Sequence, residues 1–235
     1  MEENMIKNFI INASYFEVLN YKKEEKKPIV AEYEENQWSY IIEIMILTIK
    51  SLIPSQSDNG NIINYERFSK ELELWKSYRH GYNKSLMNAI NKVDDKNYWT
   101  KADETIYARV SIITLANQNW ETIKREIIKN ILYTSGNIEI MLECLLLSKV
   151  LYLIMKYKNC EYEDVIKYLK EEIINFSHTE LQTYEEHYKL PKSKYEKNYT
   201  IEFERKKIEI ISILNEISLN DKYIVLKQTL DIFAE

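Results

Sequence analysis

The residues of this chain that could do chemistry are few and dispersed. His80, His178 and His187 are too scattered to share a metal-ligand spacing, so each reads as a surface or capping residue. The acidic pairs Asp94-Asp95 and Asp103-Glu104 stand in a polar stretch ahead of a helical run. Carboxylates in such places more often solvate a turn or complement a helix dipole than exchange protons. Cys144 lies in an apolar run and Cys160 at a polar boundary, a pattern that offers neither a disulfide framework nor a metal site and fits a reducing, cytoplasmic setting. The chain has no phosphate-binding glycine loop, dinucleotide fingerprint, nucleophile elbow, HExxH or paired CxxC, and no cofactor is expected.

One segment mixes rings with positive charge: YEEHYKLPKSKYEKNY, Tyr184 to Tyr199. Tyrosines supply contact area and lysines supply attraction, which suits a protein contact or, less well, single-stranded nucleic acid. In a chain with nineteen tyrosines the same stretch also reads as a solvated loop. As a contact, it makes Tyr188, Tyr195 and Tyr199 the expected partner-binding side chains. The formal charge of −5 and pI near 5.5 argue against a general nucleic-acid or anionic-membrane binder, so the expected partner is a protein.

The elements that carry these residues are helical. Three glycines and three prolines are too few for the hairpins and βα turns of an all-β or α/β protein of 235 residues. Apolar residues recur at helical spacing, which predicts helices near 4–20, 37–53, 64–79, 83–93, 103–116, 120–133, 137–157, 161–176, 179–189, 201–217 and 221–233. Asn64 and Asn119 are the expected N-caps of two of them. Pro54 stops the second helix, Gly136 ends the one finishing at Tyr133, and Pro54 to Asn61 is the clearest loop.

The run Ile138 to Met155 is long enough to test as a membrane span, but Glu139, Glu143 and Lys149 are costly at mid-bilayer. It is therefore expected to be a buried central helix, with Leu145, Leu146 and Leu153 in the core. The amino terminus lacks the pattern of a secretory signal and reads as mature protein. The whole chain, 1–235, is read as a single all-α domain, an orthogonal bundle of roughly ten helices. Trp75, Trp99 and Trp120 are its expected core aromatics.

Four segments, in order, resemble the ADP-ribosylglycohydrolase family, the all-helical enzymes related to the dinitrogenase reductase activating glycohydrolase. NFIINASYFEVLNY, Asn8 to Tyr21, sits where the family has an opening helix with a Gly-Asp pair. QWSYIIEIMILTIKSLI, Gln37 to Ile53, resembles its Thr-Asp-Asp-Thr helix, which runs into a Ser-Leu pair as here at Ser51-Leu52. FSKELELWKSYRHGYNKSLMNAI resembles the Trp-ending helix and Arg-Gly-Tyr turn, here Arg79, His80, Gly81 and Tyr82. The stretch from Tyr107 to Met155 resembles the Met-Arg-x-x-Pro segment at Ala108 to Ile112 and the Thr-His-x-x-Pro turn at Thr134 to Ile138.

The departures fall on the chemistry that the resemblance implies. The family's Thr-Asp-Asp-Thr and late Asp-Thr-Asp-Thr segments hold divalent metal beside ADP-ribose. This chain has Ser39, Tyr40, Ile41 and Ile42 at the first, and its closing DIFAE falls about where the second would begin. Hard cations require oxygen ligands that Ile and Tyr do not replace. The Gly-Asp pair reads Asn12-Ala13, and the Thr-His pair reads Thr134-Ser135. The positions left from the family's site are Glu43, Tyr82, Arg109, Thr134 and Ser135.

The resemblance thus implies a pseudoenzyme: a non-catalytic protein-binding module that inhibits a partner protein, of the toxin-immunity or phage anti-defence type. Its alternatives are an active ADP-ribosyl-protein hydrolase, with metal ligands rearranged to Glu43, Asp103 and Glu104, or an unrelated helical regulatory module.

Overall fold

A computed structural model describes residues 2–23, 39–79, 81, 83–91, 95–101, 103–157, 160–190, 192–195, 197–215 and 223–234. It is an all-α multi-helix bundle. The helices are α1 (Glu2–Lys23), α2 (Tyr40–Lys50), α3 (Tyr65–Tyr78), α4 (Lys84–Ile90), α5 (Asp95–Thr100), α6 (Thr105–Leu115), α7 (Trp120–Thr134), α8 (Ile138–Lys156), α9 (Tyr162–Asn175), α10 (His178–Gln182), α11 (Tyr199–Leu214) and α12 (Ile224–Ala234). Two 3-10 turns, Glu185–His187 and Lys192–Lys194, join α10 to α11.

Capping fixes many of the starts. Asn64 accepts from the Arg67 amide and Asn119 from the Thr122 amide, as expected from the sequence. Asn137, Asn198, Ser39 and Ser177 do the same for α8, α11, α2 and α10.

Helix α8 is central: it packs against α6, α7, α9, α11 and α12. Leu145 and Leu146 are fully buried and Leu153 nearly so, in a core that also takes in Ile127, Ile131, Phe176 and Phe203. No helix among the described residues is long and apolar enough to cross a membrane. A smaller apolar cluster, Ile42, Met45, Ala108 and Ile112, joins α2 to α6 and is covered by Ile6, Phe9 and Ile10 of α1.

Four features depart from the expected elements. Residues Leu52–Pro54 (β1) and Asn61–Ile63 (β2) pair antiparallel, Leu52 opposite Ile63, so α2 ends at Lys50 and the expected loop is the tip of a small hairpin. A short helix, α5, precedes the acidic stretch at Asp103, and the expected helix at 179–189 ends at Gln182. Gly136 caps nothing. A side chain there would meet the Trp99 ring at 2.3 Å, so glycine is required because the indole lies against the backbone. Gly81 differs, with φ of 80, a left-handed turn that favours glycine.

The carboxy-terminal helix is anchored to α8 by one carboxylate. Glu143 Oε1 accepts the Leu226 amide at 3.0 Å in the first turn of α12, and its Oε2 accepts the Tyr107 hydroxyl at 2.5 Å. A carboxylate at a helix amino end meets both free amides and the positive pole of the helix dipole. Tyr223, immediately before α12, has a positive φ of 57 with its ring buried.

Candidate functional site

Two of the positions carried over from the family resemblance meet in the core. Arg109 on α6 is completely buried, and its Nη2 donates to Thr134 Oγ1 on α7 at 2.6 Å and to Asp103 Oδ2 at 3.1 Å. Thr134 in turn donates to Asp103 Oδ2 at 2.9 Å, while Asp103 Oδ1 accepts the amide and hydroxyl of Thr105. The guanidinium lies over the Phe68 ring, 5.9 Å from its centroid. Burial draws the Arg109 pKa down, opposed chiefly by the Asp103 carboxylate. Asp103, expected to be a solvated turn residue, is 1% exposed: it opens α6 and serves as the counter-ion of a buried cation.

The other positions lie apart from this centre. Glu43 on α2 accepts the Trp75 indole at 2.7 Å. Glu104 is exposed at the start of α6. Hence the alternative ligand set of Glu43, Asp103 and Glu104 is not assembled: Asp103 is held by Arg109, and no group of three His, Cys, Asp or Glu that could hold a metal occurs among the described residues. Ser135 is buried at the end of α7 and accepts the Asn137 amide at 3.1 Å. Tyr82, His80 and Asp94 lie outside the described residues. Cys144 is buried on α8, where burial and the nearby Glu143 push its thiol well above the usual range.

The three tyrosines expected to be exposed contact residues point inward instead. Tyr188 stacks on Trp99 at 5.6 Å, Tyr195 meets Trp99 edge-on at 5.5 Å and Tyr199 at 5.6 Å. Tyr199 is 6% exposed, and Tyr188 donates its hydroxyl to that of Tyr199 at 3.2 Å. Burial raises the pKa of both. Trp99 is the reason: seated against Gly136, it offers a flat apolar surface, and covering it with three rings is worth more than leaving them in water. Lys192 then spans the Tyr188 and Tyr199 rings from outside, at 5.1 and 5.5 Å, while pairing with Glu185.

A second ionic cluster ties α7, α8, α9 and α10 together. Glu172 accepts the Trp120 indole at 2.7 Å and pairs with Lys149 at 3.1 Å and Lys124 at 3.0 Å. Lys124 also reaches Glu180 at 2.8 Å. Burial lowers the Lys124 pKa, but the two carboxylates outweigh it and the net shift is upward.

An open cleft of about 970 Å³ lies between the hairpin tip, the turn after α6, the start of α7 and the end of α8. Its polar walls are already engaged: Asp58 pairs with Arg125 at 2.9 Å, Asn117 binds the Asn61 backbone, and Lys156 donates to Tyr152.

The sequence reading missed Asn130 and Tyr65, which border the Arg109 centre. Asn130 lies one helical turn before Thr134, a spacing that places it on the same face of α7. Comparison of the chain with protein-family models, with curated proteins and with solved structures finds no match in any of the three.

Proposed function

We propose that this chain is a non-catalytic protein-binding module on a degenerate ADP-ribosylglycohydrolase scaffold, inhibiting a partner protein by occupying its surface, in the manner of a toxin-immunity or anti-defence protein. The observation that supports this reading is the fate of Arg109 and Thr134. Both are turned onto Asp103 inside the core, so they brace helices against each other and present nothing to a substrate. Glu43 is likewise committed, to the Trp75 indole. Catalysis requires groups placed against reacting atoms, whereas inhibition by coverage requires only a rigid surface.

The two modes differ in stoichiometry. The chain is purified with its partner from the native host, and the partner's activity is titrated against it. Release of free ADP-ribose from an ADP-ribosylated protein is followed in parallel with magnesium present. The expected result is inhibition that saturates at one equivalent with no ADP-ribose released. Action at catalytic amounts, with ADP-ribose release abolished by Arg109→Ala in a folded protein, would overturn the reading.

A further inference from the structure

The interior around Arg109 contains more hydrogen-bonding capacity than the protein itself satisfies. Arg109 uses only Nη2; its Nε and Nη1 are buried without a partner among the described residues. Asn130 is fully buried, and among the described residues neither its amide atoms nor the buried Tyr65 hydroxyl has a partner in ordinary hydrogen-bond geometry. These five atoms belong to one region. Arg109 and Tyr65 both pack on Phe68, at 5.9 and 6.3 Å, and Tyr65 lies 5.2 Å from Tyr133, the residue before Thr134. The Tyr65 hydroxyl also feels the charges of Glu126 and Arg109, and the Asn130 amide approaches it without reaching ordinary hydrogen-bond geometry.

Five unmade buried hydrogen bonds in one place carry a penalty approaching the net stability of a domain. The chemistry of the set specifies what fills it. Guanidinium N–H groups, an amide NH₂ and a phenol hydroxyl supply donors, against only the Asn130 carbonyl and the Tyr65 oxygen as acceptors. The occupant must therefore accept hydrogen bonds, which both water and a small anion do. Charge decides between them. Arg109 is already neutralised by Asp103, and Glu126, buried at 2% exposure one turn before Asn130, is already paired with Arg125 at 3.0 Å and Lys129 at 3.5 Å, so no cation among the described residues of the region is left to answer an anion. An anion would leave the region with excess negative charge in low dielectric, whereas water bridges donors and acceptors at no charge cost.

We infer that the seam between α3, α6 and α7 is a built site for internal water, bridging Arg109, Asn130 and Tyr65. It completes the hydrogen bonding of Arg109, the buried cation that joins α6 to α7. The inference is independent of the binding role proposed above.

The test is water oxygen-17 relaxation dispersion on the full chain, which reads the number of long-residence internal waters, comparing wild type with Asn130→Leu and Tyr65→Phe. The expected result is a loss of dispersion amplitude corresponding to at least one water in each folded variant. Tyr65→Phe keeps the ring and carries the test should Asn130→Leu fail to fold. Unchanged amplitude in folded Tyr65→Phe overturns the inference. So does a high-resolution crystal structure in which Asn130, Tyr65 and Arg109 bond one another directly, or a wild-type amplitude that falls as chloride is titrated in, which would identify an anion as the occupant.

Discussion

Two ionic clusters brace α7, and they solve the same problem in opposite ways. Around Arg109 a single carboxylate, 1% exposed, answers a single cation that is completely buried. Around Glu172, buried less deeply at 9% exposure, one carboxylate is shared by Lys124, Lys149 and the Trp120 indole, and Lys124 also pairs with Glu180. Depth without redundancy makes a cluster brittle, because loss of one partner strands a charge in low dielectric. Redundancy makes a cluster tolerant: the remaining partners share the loss.

The largest expected effect tests the brittle cluster. Asp103→Ala should cost about 3–5 kcal/mol in denaturant unfolding, and Arg109→Ala a similar amount, while the double replacement Asp103→Leu with Arg109→Met should recover most of the loss. A loss below about 1 kcal/mol for Asp103→Ala would erase the distinction between the clusters. Gly136→Ala provides a packing comparison. Its added carbon meets the Trp99 ring, so a loss of about 1–3 kcal/mol should accompany a shifted tryptophan emission. Glu172→Gln keeps shape and hydrogen bonding while removing charge, and should cost about 1–2 kcal/mol by the same measurement. A cost matching Asp103→Ala would show that redundancy does not protect.

Titration sharpens the contrast from the other side. Tyr188 and Tyr199 have pKa values raised by burial, so they remain protonated in the fold while the unfolded chain ionises near 10. Their contribution is fully present below pH 10 and declines as pH rises beyond it, which should appear as a falling melting temperature in alkaline buffer that is reduced in Tyr199→Phe. The smallest effect is at acid pH. Burial and Lys192 depress the His178 pKa below its usual 6.5, so stability should decline slightly as pH falls through 6.5, and His178→Gln should flatten that slope.

The legible parts of this molecule are those set by local chemistry. Asn119 and Asn64 announce their helices because an N-cap acts within three residues, and Ile138 to Met155 reads as central because its apolar run outweighs three charges. The hairpin was not legible, since three-residue strands are too short to show alternation. Helix α5 has no periodicity of its own, and its order comes from Tyr98 donating to the Leu132 carbonyl and Trp99 seating on Gly136. Asp103, Arg109 and Thr134 come from three separate turns of chain, and Glu43 finds Trp75 across two helices, so no spacing rule connects them. Tyr188, Tyr195 and Tyr199 were misread because polar neighbours suggest exposure, whereas the surface that buries them is supplied by a distant tryptophan.

The attachment of α12 has a consequence for how the molecule breathes. Its first turn is held by one Glu143 oxygen, and the residue before it carries a left-handed backbone that costs a non-glycine residue about 1–3 kcal/mol. Detaching α12 releases that strain and gives up one anchoring hydrogen bond, together with the burial of Leu226 and Leu230. The amides of α12 should therefore exchange with deuterium through a local opening well below the free energy of global unfolding, while those of α8 exchange only when the whole core comes apart. The carboxy-terminal helix is thus a latch with its own spring, and Glu143 is the catch.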